Sequence, residues 1–332
     1  MKIFKISVWI LVGIFFLISF LAVTGIFFPS EKISAVWLLT AAGCFYALAY
    51  RFYGAFLSAR VLSLEDSKST PALRFNDGKN YYPTNKWVLF GHHFAAIAGA
   101  GPLIGPVLAS QFGFLPGFIW ILIGSVVAGG VHDLVILVSS VRRDGKSLAK
   151  IAEEEVSRVT GYSALIAILF VLVIAIAGLG LAFINSLIHN PWGTFIIGMT
   201  IPIALFMGIY MKSVRPERVL EISLMGGFAL ILTIIFGREI AGTKFASYLD
   251  LGKNTLTAFL MIYGFVAASL PVWLLLAPRD YLSSFMKIGV ILMLAAGVLV
   301  VAPDLNMPRV TYFIDGGGPI VAGKIFPYLF IT

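Results

Sequence analysis

Long apolar stretches alternate with short polar ones along the whole chain. Nine of them read as membrane crossings, at about 6–28, 33–57, 88–109, 114–140, 161–186, 192–211, 220–237, 255–276 and 286–302. Several exceed the roughly 18–20 residues that a helix needs to cross a bilayer. Short alternating segments of the β-barrel kind are not seen. The expected fold is therefore an all-α polytopic membrane protein. A tenth apolar piece, 318–332, opens on glycine and proline and ends in FPYLFIT, as expected if the chain stops inside a larger membrane domain. Between the fourth and fifth crossings, KSLAKIAEEEVSR (146–158) has the pattern of an amphipathic surface helix.

Composition agrees with the pattern. Hydrophobic residues make up 59% of the 332, and charged residues only 12%. A soluble domain carries more charge. Lys2 and Lys5 precede a first apolar run that is too long for a cleaved leader, so that run is read as a retained span. Cys44 is the only cysteine, which excludes an intramolecular disulfide and any multi-thiolate metal site.

The net charge of +8 reads as topology rather than nucleic-acid affinity, because the basic residues lie between spans. With the N-terminus inside, 17 of the 24 Lys and Arg fall in inner segments, counting Arg279 and Lys287 among them, and five fall outside. That bias predicts a multi-pass protein of the cytoplasmic (inner) membrane with a cytoplasmic N-terminus.

One crossing contains residues that disfavour a helix. FAAIAGAGPLIGPVLASQFG (94–113) carries Gly99, Gly101, Gly105 and Gly113, with Pro102 and Pro106. Gly101 with Gly105, and Gly113 with Gly117, also fit the small-xxx-small packing pattern. The two prolines shift the reading toward a broken helix. Each lacks an N–H, clashes with the preceding turn and directly follows a glycine. Carbonyls around 98–103 should then lose their helical partners, and such backbone survives in a membrane only inside protein or against a water-filled cavity. The GAGPLIG string is not a nucleotide loop, since no strand–helix unit surrounds it.

YGFVAASLPVWLLLAPRDYLSSF carries a second proline signal, Pro271, beside Ser269. Five spans separate the two signals, counting the first, so the two interrupted crossings should run in opposite senses. That is the pointer to an inverted-repeat transporter. The expected organisation is two N-terminal helices (1–57), a cytoplasmic loop (58–87), a first five-helix repeat broken near 98–105 (88–237), and the start of a second, inverted repeat broken near 269–271 (238–332).

GHHFAAIAGAGPLIGPVLA, PGFIWILIGSVVAGGVHDLVILVSSVRRDGKSL, LPVWLLLAPRDYLSSF and APDLNMPRVTYFIDGGGPIVAGKIFPYLFIT together resemble the carbon starvation protein A family. The resemblance runs from about Tyr50 to the end. It implies an inner-membrane carrier of peptides, with some relatives carrying pyruvate, and a LeuT-like five-plus-five fold as in the amino acid–polyamine–organocation transporters. It also implies a further C-terminal segment that completes the second repeat.

The expected substrate and ion site combines the unwound backbone at Gly99, Ala100, Gly101, Pro102 and Gly105 with Ser269 and Pro271. Free half-helix N-termini there would favour a carboxylate. Ionisable residues within spans are functional candidates. His92, His93, His132 and Asp133 are the candidates for a proton relay or polar site, and Arg51 also lies within a span. His92, His93 and His132 are the candidates if a metal binds. No cofactor is required on this reading, with H+ or Na+ as the coupling ion. The partners expected are a small solute and the bilayer, with no nucleic acid. The function expected is a secondary transporter and not an enzyme. An intramembrane metal enzyme and a passive channel are the alternatives.

Overall fold

The computed structural model describes residues 2–26, 32–78, 81–99, 101–215 and 218–329. Among them every regular element is helical and no strand forms. Eight helices are long and apolar enough to cross a membrane: 6–24, 35–61, 86–112, 114–142, 158–187, 191–214, 219–241 and 276–301. The chain is a multi-pass helical membrane protein. The eighth expected crossing, 255–276, ends earlier than its apolar pattern: its helix, Lys253–Ser269, has 17 residues. The ninth starts earlier, at Leu276 rather than 286, and continues to Val301.

The chain divides into two compact units. The first comprises 1–68, 101–143 and 290–332. Its helices α1 (Lys2–Thr24) and α2 (Ala35–Leu48) pack antiparallel, with Phe16 against Phe45 and Trp9 edge-on to Phe52. Ser34 caps α2, its side chain accepting from the Val36 N–H. Beyond α2 the helix winds through π-turns to Val61. α3 (Gly101–Ala109) is followed by a 3₁₀ turn, Ser110–Phe112, and α4 (Phe114–Gly124) leads through a π-turn into α5 (Gly130–Arg142).

Gly113 turns the chain between the 3₁₀ turn and α4 at φ +97°, and a Cβ there would lie 2.4 Å from the Arg309 carbonyl oxygen. Only glycine meets both conditions. The close approach lets the 308–321 segment dock. Leu115 N–H donates to Arg309 O at 3.0 Å, and the Gln111 amide clamps Val321 by donating to its carbonyl at 2.8 Å and accepting from its N–H at 2.9 Å.

The second unit comprises 69–100 and 144–289. It contains α6 (Lys86–Ile97), α7 (Leu148–Glu155), α8 (Arg158–Leu187), α9 (Pro191–Ile209), α10 (Val219–Ala241), α11 (Lys253–Ser269) and the first half of α12 (Leu276–Val301). Its core joins Val88, Met207, Ile222, Leu230, Tyr281 and Leu282. α8 exposes Leu165, Ile166, Leu169, Phe170 and Val173, the outward apolar surface that lipid contact requires. α7 is the surface helix that its pattern predicts: Ser147 caps it, and Lys146 and Lys150 pair with Glu154 and Glu153.

Candidate functional site

The polar centre of the second unit lies where α6 meets α12. Asn85 caps α6, its side chain accepting from Trp87 N–H at 3.0 Å. Val88, Gly91 and Ala95 form its buried face. A Cβ on Gly91 would fall 2.4 Å from the Tyr281 ring and 3.0 Å from Ser284 Oγ, so the missing side chain sets the helix separation. Contacts advance together along both helices, from Gly91 with Tyr281 to Ala95 with Lys287, so the two run parallel.

At this seam His92 Nδ1 lies 2.8 Å from Asp280 Oδ2. Both side chains are about one-third exposed (33% and 32%), which leaves them reachable from a polar space. The approach is bent: the buried Nδ1 makes no aligned hydrogen bond. The contact is electrostatic in character.

Six residues beyond His92, α6 breaks. Ala98 leaves helical geometry at φ −78°, ψ 51°, after its N–H has bonded Phe94 O. The Gly99 N–H turns to Ile97 O at 2.8 Å instead of reaching Ala95 O. The freed Ala95 carbonyl accepts from Lys287 Nζ at 2.9 Å. A cation there also meets the negative end of the α6 dipole.

α12 supplies the other charges. Pro278 lies in its first turn, where a missing N–H is tolerated. Arg279 donates to Thr200 Oγ1 at 3.5 Å and lies over the Tyr263 ring, 4.8 Å from its centroid. A cavity of about 340 Å³ opens beside the helix, with Thr200, Arg279, Asp280, Ser283 and Lys287 as its polar lining. A larger cleft in the first unit, about 630 Å³, is lined by Ile6, Trp9, Ile10, Arg51 and Phe52 and has a single charged side chain. The charged side chains concentrate at the smaller cavity.

A family model described as "Carbon starvation protein CstA" matches residues 34–332. The chain belongs to that family. It is 53% identical over 304 residues to the "Peptide transporter CstA" of Campylobacter jejuni, covering 91% of this chain and 43% of the relative. It is 51% identical over 303 residues to the protein of the same name in Escherichia coli K12, covering 91% and 43%. Against the "Pyruvate/proton symporter BtsT" of Escherichia coli K12 it is 48% identical over 334 residues, covering 100% and 46%. The chain thus spans less than half the length of these three relatives. No solved structure matches it.

In this CstA-family chain the expected site residues separate. Gly99 lies at the break, and Ala100 lies outside the described residues. Gly101, Pro102 and Gly105 are already helical in α3, so the interruption is shorter than the 98–105 expected. Pro102 falls in the first turn of α3, where it costs little. Ser269 ends α11 with its hydroxyl bonded to Phe265 O at 2.8 Å. Pro271 belongs to the turn between α11 and α12, and its carbonyl accepts from Leu274 N–H at 2.9 Å. That turn falls near the start of α6, since Trp273, Ala277 and Pro278 share a cavity with Asn85 and Val88. The break at Ala98 lies at the other end of α6, with Lys287 on the freed Ala95 carbonyl.

Of the adjacent histidines, His92 turns toward α12 and His93 is exposed. In the first unit His132 and Asp133 contact each other at 3.1 Å, with the His132 side chain 67% exposed. Among the described residues no three His, Cys, Asp or Glu side chains gather as a metal site. Sequence reasoning missed Asp280 and Lys287 and placed Arg279 and Lys287 in an inner loop. The available signal was spacing: Arg279, Ser283 and Lys287, each four apart, fall on one side of a helix.

Proposed function

We propose that this chain forms part of a secondary active transporter that imports small peptides or pyruvate-like carboxylates across the cytoplasmic membrane by alternating access, driven by protons. The observation that carries this reading is the interruption of α6 after Ala98, whose freed carbonyl is held by an intramembrane lysine. Non-helical backbone inside a membrane marks a lined cavity in transporters. The names of relatives about half identical over nine-tenths or more of the chain support the solute class and the coupling ion.

In this reading 88–237 is the first repeat of a LeuT-like fold and 238–332 opens the second, with a further C-terminal segment completing it. The parallel run of α6 and α12 supports this, because five crossings between them, α11 included, require it. The N-terminus is cytoplasmic. Removing Arg279 and Lys287 from the inner loops leaves the basic bias intact. The substrate chamber begins at Gly99, where α6 ends. His92 and Asp280 form the leading proton-coupling pair. His93, His132 and Asp133 take lesser parts.

Proteoliposome uptake tests this. Labelled pyruvate or dialanine should accumulate when the outside is acid, and a sodium gradient alone should not drive it. Uptake indifferent to both gradients refutes coupled transport.

A further inference from the structure

We infer that the cavity beside α12 is a carboxylate site, in which Arg279 and Lys287 take the carboxylate group of the transported solute and Thr200 and Ser283 add hydroxyl donors. The inference rests on the transport reading and names the chemistry of its site.

Charge balance is the first argument. Two cations and one carboxylate line the cavity, and the carboxylate, Asp280, already faces His92. Among the described residues neither Arg279 nor Lys287 forms an ion pair. Their hydrogen-bond and ring partners are neutral, the Ala95 carbonyl for Lys287 and the Thr200 hydroxyl and Tyr263 ring for Arg279, while the Asp280 carboxylate, itself against His92, acts on Lys287 only from beyond ion-pair distance. Cations within a membrane span require compensation, and neutral acceptors give only part of it. An incoming carboxylate supplies the rest.

Geometry is the second. Eight residues separate the cations along α12, about 12 Å of helix rise, with Ser283 midway. Both long side chains line the same cavity. The volume of about 340 Å³ falls in the range of small-ligand sites, about 300–1,000 Å³.

Lys287 also couples the site to the break. A carboxylate that draws Lys287 toward the cavity takes it from the Ala95 carbonyl. The end of α6 is then left without its cap. Substrate binding and the geometry of the interruption are thus linked through one ammonium group.

The test uses the protein expressed from its native gene, purified in detergent and also reconstituted. Binding of pyruvate, dialanine and dialanine amide is measured for wild type, Arg279→Gln, Lys287→Gln and the double variant. The acid should bind wild type at least about tenfold better than the amide, and this preference should fall below about threefold in the double variant. A preference that persists in a folded double variant overturns the inference, as does equal binding of acid and amide by wild type.

Amine acylation of Lys287, read by mass spectrometry, needs no variant. Pyruvate should slow it. Failure of pyruvate to protect Lys287 overturns the inference, and protection by phosphatidylglycerol alone assigns the site to a lipid headgroup and also overturns it. If wild type takes up no carboxylate in proteoliposomes, the transport reading itself fails. If uptake is intact while acid preference survives in the variants, only the site assignment fails.

Discussion

Proline marks two interruptions in apolar sequence, and the structure resolves them in different ways. After Ala98 a backbone carbonyl loses its helical donor and takes a lysine ammonium from another helix, 192 residues further along the chain. Between Ser269 and Leu276 the freed groups find partners within the turn: Leu274 N–H bonds Pro271 O and Ala277 N–H bonds Val272 O, both at 2.9 Å. That turn also packs tightly. A Cβ on Gly208 would sit 2.5 Å from the Leu274 carbonyl oxygen. Buried polar backbone must be paired in either case. A break paired by a mobile, charged side chain can exchange that partner for a ligand. A break paired by its own turn cannot do so without unfolding.

The sharpest way to break this comparison is to repair the first interruption and relax the second. Gly99→Ala, Gly101→Ala and Pro102→Ala together restore helix-forming residues where α6 stops. The residue 99 N–H should then recover the Ala95 carbonyl and release Lys287. Uptake is expected to fall about 100-fold, equivalent to about 2.7 kcal/mol of barrier, with the protein still folded and its helical circular dichroism undiminished. Pro271→Ala should stay within about threefold of wild type, since the turn keeps its other bonds. Equal losses from both changes would remove the distinction.

The next effect separates the two histidine–aspartate pairs. His92 and Asp280 come from different helices and line up with the break, whereas His132 and Asp133 are neighbours on one exposed surface. His92→Gln should lower uptake driven by an acid exterior about tenfold and leave solute counterflow, which needs no net proton movement, within about twofold. His132→Gln should leave both rates near wild type. A pH-driven rate that survives His92→Gln and collapses in His132→Gln would reverse the assignment.

Much of the fold was legible in the sequence. Apolar run length gave eight of the nine expected crossings, and glycine with proline gave the place where α6 ends. The amphipathic stretch gave α7. What was hidden lies at the start of α12. Arg279, Asp280 and Lys287 resemble an inner loop when charge alone is read, because polar residues are expensive in a span. They are tolerated there because α6 supplies His92 and the Ala95 carbonyl, and α9 supplies Thr200. Those partners are distant in sequence, and no local pattern announces them. Gly91 is similar: in sequence it is one small residue among many, and its value comes from the Tyr281 ring against it. The extent of the break was misread for a local reason. Proline in the first turn of a helix begins it rather than ending it, so α3 is already helical at Gly101.

Smaller effects sharpen the comparison from the turn side. Ser269 bonds a carbonyl in its own helix. Such a back-bond adds little. Ser269→Ala is therefore expected to change dialanine uptake less than about twofold. A tenfold rise in KM with an unchanged maximal rate would instead place the hydroxyl on the solute and give the second interruption a binding role.

The smallest effect comes from a lysine in the opposite setting. Lys150 on α7 pairs with Glu153 at 2.9 Å, as Lys287 pairs with the Ala95 carbonyl, but water surrounds the surface pair. The hydrogen bond to Glu153 raises the Lys150 pKa above the ordinary lysine value. The folded form therefore holds its proton more tightly than the unfolded chain does. Any stability from the pair is fully present below the unfolded lysine pKa and is lost only as pH rises through the higher folded value. Across neutral pH Lys150→Met should leave the detergent unfolding midpoint unresolved from wild type, because exposed pairs are screened by solvent. Lys287→Met should lower that midpoint, since it strips a helix end of its cap inside the protein. If both variants melt alike, the cap on α6 contributes no more than a surface ion pair, and the special standing of the first interruption is lost.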